Sequence, residues 1–172
     1  MNLINLKKLN AEIDELISRQ DEEIEVIQEA TAINKKEKYD YFMAAMRKYA
    51  DVASEIHETI PVFVGSHDDE YGNKRCCDVR FSQRRNRLVF GYMTTMGDFY
   101  TNFSIGYEAE FEDVIIFGGR KILNSITNWF EKNEDVFEQR FTEACVKAIK
   151  QKAEAANARY EKARKELDET KA

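Results

Sequence analysis

Asp98-Phe99-Tyr100-Thr101-Asn102-Phe103-Ser104-Ile105-Gly106-Tyr107 is the stretch whose reading decides the fold. Phe99, Thr101, Phe103, Ile105 and Tyr107 take odd positions while Asp98, Tyr100, Asn102 and Ser104 take even ones. That is the period of two of a strand with one apolar and one wet face. The pattern repeats upstream. Cys77, Val79 and Phe81 alternate with Asp78, Arg80 and Ser82, and Leu88, Phe90 and Tyr92 follow, with Arg84, Arg85 and Asn86 in the connection. Val114 to Phe117 is a short continuous apolar run, expected in the middle of a sheet. Turn signals separate these runs: Gly72-Asn73, Gly97 before Asp98, and the polar segment Glu108 to Glu110. Pro61 to Gly65 reads as a first, edge strand, because proline cannot donate to a ladder.

Residues 61–118, which hold the only proline and six of the seven glycines, are therefore expected to form an antiparallel meander of four to five strands. A sheet with one apolar face needs a cover, and the segments on either side supply it. The fold class expected is α+β, with long antiparallel helices, coiled-coil-like arms, flanking the meander. Three regions follow: an N-terminal helical arm over 1–60, the β head over 61–118, and C-terminal helices over 119–172, together forming one structural domain.

Between Met1 and Ile33 there is neither glycine nor proline, and Leu6, Leu9, Ile13, Leu16 or Ile17, Ile24 and Ile27 fall at helical spacing. Around Asn34 the pattern breaks, since Lys35, Lys36, Glu37 and Lys38 offer no apolar anchor and Asn34 with Glu37 has capping-box spacing. A hinge or second helix start is expected there. From Tyr39 the seam resumes as Phe42, Met46, Tyr49, Ala53, Ile56 and Ile60, and Pro61 stops it. After Gly118-Gly119, a short helix carries Ile122, Leu123, Ile126, Trp129 and Phe130 toward the sheet. Lys132 and Asn133 read as a joint, and a last helix turns Phe137, Phe141, Cys145, Ala148 and Ile149 inward. Beyond Lys152 it becomes rich in alanine and charge, so its stability is expected to depend on pairing. The simplest closure lays residues 1–33 antiparallel on 144–167, and pairing between chains as a homodimer is the alternative. In outline this helix, sheet, helix order is similar to that of prefoldin subunits, with a larger sheet region and no shared motif.

The 172 residues carry a formal net charge of −6, which disfavours general affinity for nucleic acid. No apolar run approaches the roughly 20 residues that span a bilayer, and Met1 to Leu9 lacks a signal-peptide core, so no membrane and a cytoplasmic location are expected. Three cysteines, Cys76, Cys77 and Cys145, make neither a disulfide framework nor a spaced zinc pair. His57, His67, Asp68, Asp69 and Glu70 resemble metal ligands by type but lack the spacing of a zinc or calcium site, so no metal and no cofactor is assigned. No nucleophile elbow or phosphate-binding glycine loop is present, and no catalytic residue is assigned.

Two charged surfaces remain. Lys74, Arg75, Arg80, Arg84, Arg85 and Arg87 are opposed within their stretch by Asp78 alone, with Tyr71 and Tyr92 near enough to stack on bases. The plainer reading is that these arginines keep a sheet edge soluble and meet Glu108, Glu110, Glu112 or Asp113. Asp21, Glu22, Glu23 and Glu25 form an acidic cluster suited to a basic groove on a nucleic-acid-processing protein, although acidic helices are also ordinary solvated faces. The function expected is non-enzymatic protein–protein interaction, by an adaptor or inhibitor. An accessory protein of a phage or mobile element is one form of it. A nucleic-acid-binding protein using the turn at 80–87, or a structural homo-oligomer, is the alternative.

Overall fold

The computed structural model describes residues 2–57, 59–68, 74–93, 99–114 and 119–171, with backbone alone at 63, 66–68, 74–77, 92–93, 99–102 and 119–122. The chain divides into two compact units, Met1–Lys38 and Tyr39–Ala172.

Helix α1 (Leu3–Ile56) runs through both units without interruption. Asn2 caps its start, its Oδ1 accepting from the Asn5 amide at 2.9 Å. The expected break at 34–38 does not occur, because lysine and glutamate are good helix formers whether or not they touch anything. Loss of apolar anchoring there marks the boundary between the units instead. Up to Glu37 every described side chain is exposed, whereas Tyr39, Phe42, Met43, Met46, Ala50 and Ala53 are buried. The helix ends at Ile56, short of Pro61, since Thr59 and Ile60 are β-branched and Ile60 precedes a proline.

The sheet is an antiparallel meander, as its alternation predicts. Its strands are β1 (Thr59–Asp68), β2 (Lys74–Ser82), β3 (Arg87–Met93) and β4 (Phe99–Gly106), hydrogen-bonded in the order β1-β2-β3-β4. β1 is an edge, which lets Pro61 sit opposite Arg80 without interrupting a ladder on its free side. The register brings side chains into rows: Ile60, Phe81, Leu88 and Ile105 form one, and Val62, Val79, Phe90 and Phe103 the next. All eight are buried. Two irregularities interrupt the alternation. One falls between Phe63 and Gly65, and the other sets Phe90 opposite Phe103 but Gly91 opposite Thr101. Asn102 is skipped, so the odd-even pattern of 99–107 is reset by one residue midway. The face expected to be wet is also partly covered: Asp78, Ser82 and Val89 are each no more than 7% exposed. Val114 is buried just after a 3-10 turn at Phe111–Asp113, and the rest of the expected strand Val114–Phe117 lies outside the described residues.

Helices α2 (Gly119–Lys132) and α3 (Glu134–Lys171) meet at Asn133, the expected joint. Asn133 Nδ2 donates to the Trp129 carbonyl at 2.8 Å, closing the end of α2. Leu123, Ile126 and Phe130 from α2, with Phe137, Phe141, Cys145 and Ala148 from α3, complete the core, while Ile149 is half exposed. Aromatic rings knit the layers together. Phe42 meets Phe130 edge-on at 5.4 Å, Phe81 meets Phe141 at 5.4 Å, and Tyr49 meets Phe141 at 4.7 Å. Each pair contributes about 0.5–1.5 kcal/mol beyond area burial.

Within the second unit the two long helices run in the same direction, not antiparallel. Tyr41 Oη donates to Glu134 at 2.6 Å, Tyr49 packs on Phe137 and Phe141, and Lys152 Nζ donates to the Ile56 carbonyl at 3.4 Å. The cause is α2, which returns the chain so that α3 starts beside Tyr41 rather than beside Ile56.

Candidate interaction surfaces

The connection between β2 and β3 is the four-residue loop Gln83-Arg84-Arg85-Asn86, closed by the Asn86 amide donating to the Gln83 carbonyl at 3.1 Å. Asn86 sits at φ 50°, in the left-handed region that asparagine tolerates better than most residues. Arg84 and Arg85 are thereby held at the tip, exposed, with no ion pair among the described residues.

The other two arginines are spent differently. Arg87 donates Nε to Ser104 Oγ and Nη2 to the Ser104 carbonyl, both at 2.9 Å. Arg80 lies back along β2 with Nη2 3.9 Å from Asp78 Oδ2, and its side chain is only 25% exposed. Burial lowers the Arg80 pKa and raises that of Asp78, and each charge partly restores the other. Of the basic surface read over 80–87, Arg84 and Arg85 at the turn and Arg87 beside it stay exposed, Arg87 held by neutral serine atoms that leave its charge in place, and only Arg80 is drawn in beside a carboxylate.

Beside this turn the C-terminal part of α1 and the end of β4 border an open pocket of about 540 Å³, lined by Arg47, Asp51, Gln83, Asn86, Tyr107 and Glu108 among others. Arg47 donates from Nε to the Tyr107 carbonyl at 2.7 Å and faces Glu108 at 3.8 Å. Of the four acids Glu108, Glu110, Glu112 and Asp113 that the plainer reading offers the strand and turn arginines, Glu108 faces Arg47 of α1 instead. Tyr107 Oη donates to the Arg87 carbonyl at 3.3 Å, and desolvation pushes its pKa up to about 12. Tyr107 therefore struts the base of the basic turn against α1. One cation and two carboxylates line the pocket, so it does not concentrate positive charge. Neither Arg47 nor Tyr107 is marked in the sequence, since their pairing joins residues 60 positions apart.

Asp21, Glu22, Glu23 and Glu25 are all exposed on α1, and none has an ion pair among the described residues. Arg19, the nearest cation in sequence, is taken by Glu15 at 2.9 Å. At about 100° per residue Asp21, Glu25 and Glu22 fall within about 100° of one another around the helix, and Glu23 stands about 100° further round.

The remaining candidates are quickly placed. The side chains of Tyr71, Tyr92, Cys76, Cys77, His67, Asp68, Asp69 and Glu70 lie outside the described residues. His57 is exposed at the end of α1, and no group of three or more metal-ligating side chains occurs among the described residues. Cys145 is buried as a free thiol with its pKa raised by desolvation, the state of a core cysteine. No helix among the described residues is long and apolar enough to cross a membrane.

One pattern was only half visible beforehand. Along α3, Val146, Ile149, Ala153, Ala156, Tyr160, Ala163 and Leu167 recur at alternating steps of three and four, and all are exposed. This is a heptad stripe, to set beside the apolar stripe of Leu6 to Ile27 on α1, whose seam passes through Gln20 between Leu16 and Ile24. In comparisons with known proteins, no family model, no curated protein and no solved structure matches this chain.

Proposed function

We propose that this chain works without catalysis, as an adaptor or inhibitor that binds another protein through charged surfaces, in the cytoplasm. The observation supporting this reading is the unneutralised charge on α1. Asp21, Glu22, Glu23 and Glu25 stand exposed and have no ion pair among the described residues, although lysines and arginines are plentiful in the chain. Exposed like charges in a cluster repel one another and add nothing to the fold, and they complement a basic groove well. A partner whose groove holds nucleic acid has that character, and an inhibitor of such a protein, as used by phages and mobile elements, fits the chemistry.

The test is affinity recovery from a lysate of the native host, with and without nuclease, comparing the wild-type chain with a variant carrying Asp21→Lys, Glu22→Lys, Glu23→Lys and Glu25→Lys. One defined protein recovered under both nuclease conditions, and lost with the reversed charges, is the expected result. Recovery unchanged by the reversal overturns it. The second reading, nucleic-acid binding, is favoured by one observation, the unpaired exposure of Arg84 and Arg85 at a hairpin tip. It requires binding that disappears with nuclease, weakens steeply with salt, and is abolished by Arg84→Glu with Arg85→Glu.

A further inference from the structure

Two exposed apolar stripes of equal length lie on the long helices, and the charges beside them are opposite. On α1, Leu6, Leu9, Ile13, Leu16, Ile24 and Ile27 are 45 to 62% exposed. On α3, Val146, Ile149, Tyr160 and Leu167 are 45 to 58% exposed, with Ala153 and Ala156 between them. We propose that the chain self-associates by pairing these stripes between two copies, residues 6–27 of one lying on residues 146–167 of the other. A two-fold axis closes the assembly, so that each copy both gives and receives a helix.

Charge selects this pairing over like on like. Between residues 3 and 33 there are eight acidic and three basic side chains, and between 146 and 171 there are eight basic and five acidic. The side chains flanking the seams sharpen the difference. Glu12, Asp21 and Glu23, with Arg19 the one cation, border the α1 stripe, whereas Lys150, Lys152, Arg159 and Arg164, with Glu166 the one carboxylate, border the α3 stripe. Two α1 stripes brought together would set mostly carboxylates against their own kind, while α1 on α3 sets a mainly acidic border against a mainly basic one. Size agrees with charge. Leucine and isoleucine make up the α1 seam on either side of Gln20, alanine recurs in the α3 seam, and large against small interlocks at close approach. Both stripes span about 33 Å at 1.5 Å per residue, so neither leaves an unmatched end.

This contact shares Asp21 and Glu23 with the acidic run proposed to take a foreign partner, so its test uses purified full-length protein alone and is independent of that reading. Sedimentation equilibrium of the wild-type chain is expected to show a mass rising with concentration from 20.1 kDa toward twice that value, and falling back as salt is raised. Two variants locate the contact: Ile13→Glu with Leu16→Glu on α1, and Ala156→Glu with Tyr160→Glu on α3. All four positions are exposed, so circular dichroism should show the helices retained. Each variant alone is expected to associate about 100-fold more weakly or worse, because both of its seams then lack a partner. An equimolar mixture of the two should recover association, since the intact α3 of one meets the intact α1 of the other. A wild-type chain that stays monomeric at every concentration overturns the proposal. So does an α3 variant that still dimerises by itself, a mixture that fails to recover, or association that strengthens with salt.

Discussion

Replacing Phe42 by alanine tests whether the second half of α1 is truly part of the core. Phe42 is fully buried, its ring meeting Phe130 edge-on at 5.4 Å and Phe90 at 6.3 Å. It is thus the point where α1, α2 and the middle of the sheet converge. Truncating a buried phenylalanine costs about 3–5 kcal/mol, made up of the lost transfer energy and the cavity left behind. Loss of two aromatic contacts places Phe42→Ala toward the upper part of that range, about 4 kcal/mol. Set against a typical total of 5–15 kcal/mol, this removes a large share of the stability. Phe42→Leu, which keeps most of the volume, should lose about 1.5 kcal/mol. Urea unfolding followed by tryptophan fluorescence reads the effect directly, because Trp129 is the only tryptophan and lies on α2 with the Arg140 guanidinium 5.5 Å from its ring centroid. The midpoint should fall in the order wild type, leucine, alanine with little change in slope. A Phe42→Ala protein within about 1 kcal/mol of the wild type would refute this account of the core, since no mechanism leaves such a truncation unfelt at a packed site.

Gly65 stands at φ 139°, and among the described residues a Cβ built there meets nothing closer than Trp129 Nε1 at 4.0 Å. Gly65→Ala should therefore lose about 1–3 kcal/mol through backbone strain alone, measured by the same urea titration, and a neutral result would mean that β1 relaxes there. Tyr39 and Tyr107 are both pushed up to about 12, chiefly by desolvation. For a raised pKa the stabilisation is complete below the unfolded value near 10 and is lost as pH rises through about 12. Ultraviolet titration should show at least Tyr39 and Tyr107 ionising late, with stability falling across that alkaline window, and ionisation of all eight tyrosines together near pH 10 would contradict the burial.

The sheet was legible because a half-buried strand must alternate. Val79 and Phe81, and then Leu88 and Phe90, fall in the expected rows. What alternation misses is the extra residue. The shift at Phe90/Gly91 is a local choice of hydrogen-bond register that leaves composition untouched, and it reset the pattern in the very stretch that identifies the fold. The break expected at 34–38 shows the reverse confusion, since absence of apolar anchors reports absence of packing and does not report absence of helix. Among the charged residues, type and exposure at Arg84 and Arg85 follow from a polar turn. That Arg80 is drawn in beside Asp78, and Arg87 latched onto Ser104, follows only from the neighbouring strands.

The sequence by itself determined the class of the main segments: helices where apolar residues recur every three or four positions, strands where they alternate. Those periods are properties of the local backbone and need no partner. Only the tertiary structure decided which residues share a neighbour. The parallel run of α3 beside Tyr41, Tyr49 and Ile56, the strut from Tyr107 to Arg87, and the boundary at Lys38 and Tyr39 all join or separate residues by packing. Packing depends on how distant surfaces fit and how much area they remove from water together, a quantity that no window of local sequence contains.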